Sequence, residues 1–338
     1  MKIGKLIYNQ VLYDHRQKKI AAKLLKSPLL IKNPVYNFFY NRLLTQKMKQ
    51  FEKIPFRVMI ENTNVCNANC IFCPHKIMKR KVGVMNMGLF KKIIEECKKV
   101  KIEYVTIYGF GEPLLDNQFF ERVEYTKSVG IQRVTTNTNG MYLDEEKIEK
   151  VFNSGLDEIY VSFDAATSKT YKKIRPGLDF QIVKNNILNL VKEKERRQSK
   201  KPEIILSYVE SRDNKHEIKK YIKQWKGMVD NISVSFIQNW TGDIESGEIL
   251  MVGRRDPCRL LWTDMVISWN GDVPLCCNDY GNRMILGNIN DQSIKEIWGG
   301  DKLRKIRELH KGGEFEKINI CAQCEYNFHH KSPWWVSK

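Results

Sequence analysis

Long apolar runs and an export signal are both missing from this 338-residue chain. No segment approaches the roughly 18 to 20 uninterrupted apolar residues that a membrane-spanning helix needs, and the N-terminus leads into no clean apolar run before a cleavage site. These absences exclude the membrane-spanning and secreted classes and predict a cytoplasmic protein. Without export to an oxidising compartment, the nine cysteines are not expected to form disulfides. Metal binding or catalysis becomes their leading role.

Acidic residues are also in deficit, since 57 Lys and Arg outnumber 39 Asp and Glu and give a net charge of +18. Such an excess can attract nucleic acid, an anionic membrane or an acidic substrate. The lysines are scattered over many predicted helices, however, where solvated faces explain them, so nucleic acid is not the expected partner. The best basic contact surface is the extension 1–55, predicted helical, in which Lys18, Lys19 and Lys23 interleave with leucines. Packing of this extension on the main domain explains the pattern equally well.

Short β-branched runs alternate with amphipathic stretches from residue 56 onward. This alternation predicts a parallel sheet with crossover helices. In the first amphipathic stretch Cys97 shares a helical face with Leu89, Phe90, Ile93 and Ile94, so it is predicted to be a core residue. The predicted strands are Arg57–Ile60, Tyr104–Tyr108, Arg133–Thr136, Glu158–Ser162, Ile204–Tyr208 and Ile232–Phe236.

The repeat ends after Phe236, where glycines become frequent. We place a domain boundary near Glu245–Arg254, which divides the chain into 1–55, 56–245 and a small C-terminal module, 254–330. That module contains the tight turn Asn270–Asp272 between two apolar runs, and most of the remaining cysteines.

Three thiols, Cys66, Cys70 and Cys73, fall within eight residues directly after the first predicted strand. Ligands of parallel α/β folds bind at the carboxyl ends of the strands, so these thiols are expected to converge at a binding site. Three thiolates leave one iron of a four-iron cluster open to a cofactor or substrate. The alternative is a zinc site completed by His75.

The C-x3-C-x2-C spacing resembles the signature of the radical S-adenosylmethionine (radical SAM) superfamily. The resemblance implies a [4Fe-4S] cluster whose open iron binds the amino and carboxyl groups of S-adenosylmethionine. It also implies reductive cleavage of that cofactor to a 5′-deoxyadenosyl radical that abstracts hydrogen, and an electron donor such as flavodoxin or ferredoxin.

Residues at the ends of the following strands extend the resemblance. Gly109–Glu112 is similar to the family's Gly-Gly-Glu motif, whose carbonyls bind the methionyl ammonium while Glu112 holds the loop. It departs from that motif at Phe110. For Arg175, the alternative is a position on the protein surface. For Asp164, which follows the fourth predicted strand, the alternative is capping of a turn. The cofactor-binding residues implied by resemblance are Phe72, Gly109, Gly111, Glu112, Asn137, Ser162 and Arg175.

Four further thiols, Cys258, Cys276, Cys321 and Cys324, suffice to close a second cluster completely. Their spacing resembles the SPASM and Twitch modules of radical SAM enzymes, which implies one auxiliary [4Fe-4S] cluster. A structural zinc with four thiolates is the alternative. Cys277 is predicted to be a spare thiol.

The resemblance as a whole implies an α/β protein with a partial (β/α)6 TIM-type barrel and a small C-terminal α+β iron–sulfur domain. The predicted reaction is oxidation or rearrangement of a small hydroxylated metabolite, which needs a base to take the proton. Resemblance to sulfatase-maturating relatives, which have an acidic base near this position, implies Asp279 for that role. Modification of a peptide or protein side chain is the alternative among enzymes. A zinc-stapled, basic nucleic-acid-binding protein is the alternative outside enzymes.

Overall fold

The computed structural model describes residues 33–245 and 255–326. The predicted basic surface around Lys18 and Lys23, and most of the predicted boundary Glu245–Arg254, lie outside these ranges. Helix α1, Pro34–Phe51, is the described part of the N-terminal extension. Among the described residues, no helix is both long enough and apolar enough to cross a bilayer.

A parallel sheet of seven strands forms the core, in the order β6-β5-β4-β3-β2-β1-β7. Each of the six predicted strands is present, with ends that differ by up to two residues. All neighbouring pairs are parallel, which confirms the α/β fold class. The strands are β1 Arg57–Ile60, β2 Tyr104–Ile107, β3 Arg133–Thr138, β4 Glu158–Ser162, β5 Glu203–Glu210, β6 Asn231–Phe236 and β7 Asp264–Ile267.

Crossover helices bury one apolar face each against this sheet. In α2 that face includes Cys97, which is fully buried, so the prediction that it is a core residue is confirmed. Side-chain caps fix where four of the six helices begin; Asn86, for example, accepts a hydrogen bond from the backbone N–H of Leu89 at 2.7 Å. The helices are α2 Met87–Lys99, α3 Phe119–Ser128, α4 Glu145–Asn153, α5 Ser168–Ile174, α6 Phe180–Arg196 and α7 Ile218–Trp225.

The seventh strand comes from the C-terminal module, which the sequence analysis did not foresee. β7 pairs with β1 in register Arg57 to Asp264, and the Arg57 Nε donates to Asp264 Oδ1 at 2.6 Å. The apolar run before the Asn270–Asp272 turn therefore extends the barrel sheet. The run after it forms a separate antiparallel hairpin, β8 Asp272–Pro274 with β9 Ile285–Asn288.

Short helices complete the C-terminal module and contact α1. Trp298 Nε1 donates to the Phe51 carbonyl at 3.0 Å, and the buried Arg307 donates to the Glu52 carbonyl at 3.2 Å. The module and the N-terminal extension are thus packed together on the β7 side of the sheet. The helices are α8 Leu260–Thr263, α9 Ile294–Trp298, α10 Asp301–Lys311 and α11 Asn319–Ala322.

Candidate active site

A cavity of about 390 Å³ lies at the carboxyl ends of the parallel strands. This volume falls within the range of small-molecule sites. The wall combines loops that follow β1 to β6 with the C-terminal module, and thiols of both predicted cysteine sets contribute to it. These thiols are Cys66, Cys70, Cys73 and Cys276, and Cys277, which belongs to neither set, also lines the cavity.

The first cysteine loop is held by backbone hydrogen bonds to the end of α5 and to the loop that follows it. The Asn69 N–H donates to the Pro176 carbonyl at 2.8 Å, and the Ile71 N–H donates to the Ile174 carbonyl at 3.1 Å. Gly177 makes this approach possible, because a Cβ there would lie 2.8 Å from the Asn67 carbonyl oxygen and its φ is +91°. The thiols therefore project from a loop that is fixed on one side by α5.

Burial raises the pKa of Cys66 to about 11 and that of Cys73 to about 12. These thiols are therefore neutral near pH 7 until a metal displaces their protons. The described residues contain no three Cys, His, Asp or Glu side chains already arranged as a ready metal site. These residues fit an iron–sulfur cluster because Cys66, Cys70 and Cys73 provide three soft sulfur donors on one loop, and all three line the same cavity. His75, the fourth ligand of the zinc alternative, is instead hydrogen-bonded through Nε2 to the Asn64 carbonyl at 2.9 Å.

Arg175 connects the cysteine loop to the end of β4. Its Nη1 donates to Cys70 Sγ at 3.4 Å, its Nε donates to Asp164, and its guanidinium lies 5.4 Å from the centre of the Phe72 ring. Both charged side chains are buried, and burial raises the pKa of Asp164 although Arg175 opposes this shift. The arginine is thus an interior residue beside the cysteines. Its predicted contact with the cofactor carboxylate stays a prediction.

The Gly109–Glu112 segment packs so closely against the loop after β1 that a side chain at either of its glycines would collide with that loop. A Cβ on Gly109 would lie 2.5 Å from the Glu61 side chain, and a Cβ on Gly111 would lie 2.5 Å from the Thr63 carbonyl oxygen. Glu112 is buried and accepts hydrogen bonds from Thr138 Oγ1 at 2.6 Å and from the Asn139 N–H at 2.7 Å. Its carboxylate therefore holds the loop after β2 against the end of β3.

The remaining predicted cofactor-binding residues also line the cavity: Phe72, Asn137 and Ser162. Asn137 lies on β3 and Ser162 is the last residue of β4. The structure thus brings all seven predicted positions of this class to a single cavity. Which of them contacts the cofactor remains a prediction.

An ion pair in the cavity wall escaped the sequence analysis. Glu61 directly follows β1, and both of its carboxylate oxygens accept hydrogen bonds from Arg80, at 2.6 Å for the Nη1 to Oε1 contact. The Phe110 N–H also donates to Glu61, at 3.2 Å. A charged residue immediately after the first strand was the available signal. The partner, 19 residues further along the chain, left no comparable pattern.

The four C-terminal thiols form a second group. Burial is the main cause that raises the pKa of Cys258, and the nearby thiols of Cys324 and Cys321 raise it further. Burial also raises the pKa of Cys321 to about 12. Backbone groups around them are held by Arg255, whose Nη2 donates to the Cys321 carbonyl at 2.6 Å. Four soft donors, of which all but the half-buried Cys324 are buried, suit a fully ligated iron–sulfur cluster. Cys276 belongs to this group and also lines the cavity.

Cys277 and Asp279, which follow Cys276, have different surroundings. Cys277 lines the cavity, and burial raises its pKa to about 11. Asp279 is absent from the cavity lining, and its two carboxylate oxygens accept hydrogen bonds from the N–H groups of Arg283 at 2.8 Å and Met284 at 2.9 Å. These bonds close the turn between Cys276 and β9. The catalytic role predicted for Asp279 stays a prediction without support from its position.

Two family models match the chain. Residues 60–226 match the radical SAM superfamily, and residues 258–325 match the SPASM iron–sulfur cluster-binding domain. Both cysteine sets therefore lie within iron–sulfur families, which leaves no cysteine set for the zinc-stapled, nucleic-acid-binding alternative.

Curated relatives include enzymes with different substrates. The S-adenosyl-L-methionine-dependent 2-deoxy-scyllo-inosamine dehydrogenase of Niallia circulans is 24% identical over 276 residues, which cover 81% of this chain and 94% of the relative. The mycofactocin maturase of Mycobacterium tuberculosis is 29% identical over 148 residues, 42% of this chain and 37% of the relative.

Solved structures share the fold. BtrN in complex with AdoMet and 2-DOIA has a TM-score of 0.57 at 21% identity, covering 80% of this chain and 93% of BtrN. Streptococcus suis SuiB bound to its precursor peptide SuiA has a TM-score of 0.66 at 16% identity, covering 89% of this chain and 78% of SuiB. S-adenosylmethionine, a [4Fe-4S] cluster and an auxiliary cluster are accordingly the cofactors of this protein. The chain belongs to the radical SAM superfamily and is an enzyme with a C-terminal SPASM iron–sulfur domain.

Proposed function

We propose that this enzyme oxidises a small hydroxylated metabolite. The observation that carries the proposal is the shared cavity, whose wall includes Cys66, Cys70 and Cys73 on one side and Cys276 of the C-terminal set on another. A substrate bound there lies beside both cysteine sets. This arrangement suits a reaction that needs two redox centres.

In this proposal Cys66, Cys70 and Cys73 hold the catalytic cluster, and Cys258, Cys276, Cys321 and Cys324 hold the auxiliary one. With S-adenosylmethionine bound, the catalytic cluster would supply the electron that cleaves this cofactor into methionine and a hydrogen-abstracting 5′-deoxyadenosyl radical. The chain itself supplies position and charge. Arg175 places a buried positive charge beside Cys70, and Glu112 fixes the loops after β2 and β3.

Polar side chains of the C-terminal module offer hydrogen bonds to a hydroxylated substrate. Ser268 and Asn282 line the cavity and are hydrogen-bonded to each other at 3.0 Å. Asn278 of the same module and Gln238 of the loop after β6 add two amides to this wall. Oxidation of a carbinol to a carbonyl removes two hydrogens. One would leave as an atom taken up by the 5′-deoxyadenosyl radical, and the other as an electron that the auxiliary cluster would accept and a proton that would pass to solvent. The match over 94% of a dehydrogenase of a 2-deoxy-scyllo-inosamine supports this reaction class.

The test is an anaerobic assay of the full-length, iron-loaded enzyme with a panel of cyclitols, aminocyclitols and sugars. A true substrate is expected to stimulate 5′-deoxyadenosine formation and to yield one carbonyl product for each 5′-deoxyadenosine. Deuterium at the oxidised carbon should appear in 5′-deoxyadenosine. If no hydroxylated compound transfers deuterium, the proposal is wrong.

Peptide modification is the second candidate function. It is favoured by the match to mycofactocin maturase and by a fold that peptide-bound SuiB shares. The half-exposed Phe236 at the cavity edge would suit an apolar peptide side chain. Deuterium transfer from a labelled peptide, without transfer from any small metabolite, would decide for this candidate.

A further inference from the structure

We propose that an acidic electron-transfer protein docks on residues 76–84, a stretch that we call the docking segment, and reduces the cluster of the adjacent cysteine loop. The inference rests on the proposed function, because reductive cleavage of S-adenosylmethionine needs one external electron. It adds the surface at which that electron arrives and the charge of the partner that brings it.

The docking segment carries unbalanced positive charge. From Cys66 to Ile94 the sequence contains no Asp or Glu. Lys76, Lys79 and Lys81 are exposed, and none of them forms an ion pair with another described residue. Several exposed lysines elsewhere do have such partners, as Lys150 has Glu146 at 2.6 Å. Unpaired lysines of this kind attract an acidic surface over about a Debye length.

Apolar side chains lie exposed among these lysines. Ile77 is 40% exposed, Val82 60% and Val84 45%. They are three of the eleven large hydrophobic side chains that are exposed in the described residues. Electron-transfer complexes have small interfaces and short lifetimes, and a few apolar residues ringed by charge provide such an interface.

The segment is fixed beside the cysteines at both of its ends. Lys76 follows Cys73 by three residues, a span of at most about 11 Å. At the other end, Asn64 Nδ2 donates to the Lys81 carbonyl at 2.8 Å and the Gly83 N–H donates to Asn64 Oδ1 at 2.8 Å. Asn64 lies two residues before Cys66. A partner seated on the segment therefore lies next to the cluster that it must reduce.

A glycine keeps this geometry tight. A Cβ on Gly83 would lie 2.7 Å from the ring of Trp269, and Trp269 Nε1 donates to the Lys81 carbonyl at 3.1 Å. The lysines thus project from a backbone that two neighbouring segments hold in place. An acidic peptide or an anionic membrane would meet the same charges, but neither needs a surface tied to the cysteine loop. We therefore assign the segment to an electron donor.

The test compares two variants with the same net charge. Lys76→Glu/Lys79→Glu/Lys81→Glu reverses the docking segment, whereas Lys219→Glu/Lys220→Glu/Lys223→Glu reverses exposed lysines on α7. Full-length, iron-loaded protein is reduced either by flavodoxin hydroquinone or by dithionite, and 5′-deoxyadenosine formation is measured at low and high salt. Flavodoxin binding is measured separately by titration calorimetry.

We expect the flavodoxin-driven rate of the docking-segment variant at low salt to be about tenfold lower than that of wild type. This variant should also lose most of the salt dependence of that rate, and its binding of flavodoxin should no longer be detected by calorimetry. Its dithionite-driven rate should equal that of wild type, and the α7 variant should resemble wild type throughout. Equal losses in both variants, or a loss in the dithionite arm as well, would overturn the proposal. So would unchanged flavodoxin binding with lost binding of an acidic peptide or anionic vesicles. Failure of every hydroxylated compound to transfer deuterium would refute the proposed function alone, because calorimetry decides the docking surface without any substrate.

Discussion

Arg80 donates hydrogen bonds from its two Nη atoms to both carboxylate oxygens of Glu61, and from Nε to the Tyr280 carbonyl at 2.8 Å. This two-point ion pair lies in the cavity wall, where the Arg80 side chain is 10% exposed and that of Glu61 is 3% exposed. Because Tyr280 belongs to the loop after Cys276, one guanidinium joins the end of β1 to the C-terminal module. Together with the pairing of β7 with β1, this contact holds the two cysteine sets in position relative to each other.

Replacing Arg80 by Lys keeps the charge but loses the planar fork. We expect Arg80→Lys to lower the free energy of unfolding by about 2 kcal/mol and to lower product formation more than 5′-deoxyadenosine formation. Anaerobic denaturant unfolding and the ratio of product to 5′-deoxyadenosine measure these effects. Lys79→Arg, at the exposed neighbouring position, is the control and should change neither. An Arg80→Lys enzyme with wild-type stability and ratio would contradict the role of the ion pair.

Metal content tests the assignment of the two cysteine sets. Wild type purified anaerobically should contain about eight irons per chain. Replacing Cys66, Cys70 and Cys73 by Ala, or instead Cys258, Cys276, Cys321 and Cys324 by Ala, should each leave about four irons. Cys97→Ala is the matched control, since this buried thiol lies in the helix core and should leave iron unchanged. Zinc replacing iron in the second set would contradict an auxiliary cluster held there.

Gly111 tests the close approach of the loops after β1 and β2. Gly111→Ala places a methyl group 2.5 Å from the Thr63 carbonyl oxygen and 2.7 Å from that of Val65. Because neither backbone can move without shifting the cysteine loop, we expect S-adenosylmethionine affinity to fall at least about tenfold. Gly88→Ala, in the first turn of α2, meets only the Asn86 side chain at 3.3 Å and should bind the cofactor normally. Equal affinity in both variants would show that the loops tolerate the methyl group.

Replacing Asp279 distinguishes a structural role of its carboxylate from a catalytic one. Asp279→Asn keeps one carbonyl oxygen and loses one of two hydrogen bonds from the turn. We expect the free energy of unfolding to fall by about 1 kcal/mol, while the ratio of product to 5′-deoxyadenosine stays at the wild-type value. The opposite result, unchanged stability with 5′-deoxyadenosine released without product, would establish the predicted base.

Predictions that depended on local pattern were the most accurate. β1 and β4 have the predicted ends, and Cys97 lies on the predicted buried face. Loops that follow parallel strands must meet at one edge of the sheet. This rule is sufficient to bring Cys66, Gly111 and Ser162 to a single cavity.

Relationships between distant segments were beyond such patterns. In the sequence, the apolar run that forms β7 precedes a tight turn and therefore looks like one arm of a hairpin. Its actual partner, β1, lies about 200 positions earlier, and a pairing over that separation leaves no local signal. The same holds for the Arg80 bond to Tyr280 and for the position of Asp279 outside the cavity. Register and side-chain direction at such contacts are set by packing.

The sequence by itself placed three thiol ligands in one loop, and their spacing carried the resemblance that implied the cofactors. It also determined the alternation of strands and helices, which follows from the periodicity of apolar residues. Only the tertiary structure decided that β7 attaches the C-terminal module to β1, that Cys276 lines the cavity beside the first cysteine set, and that Glu61 and Arg80 close its wall. These features arise from long-range contacts, whose energy depends on the packing of the whole chain rather than on any single segment.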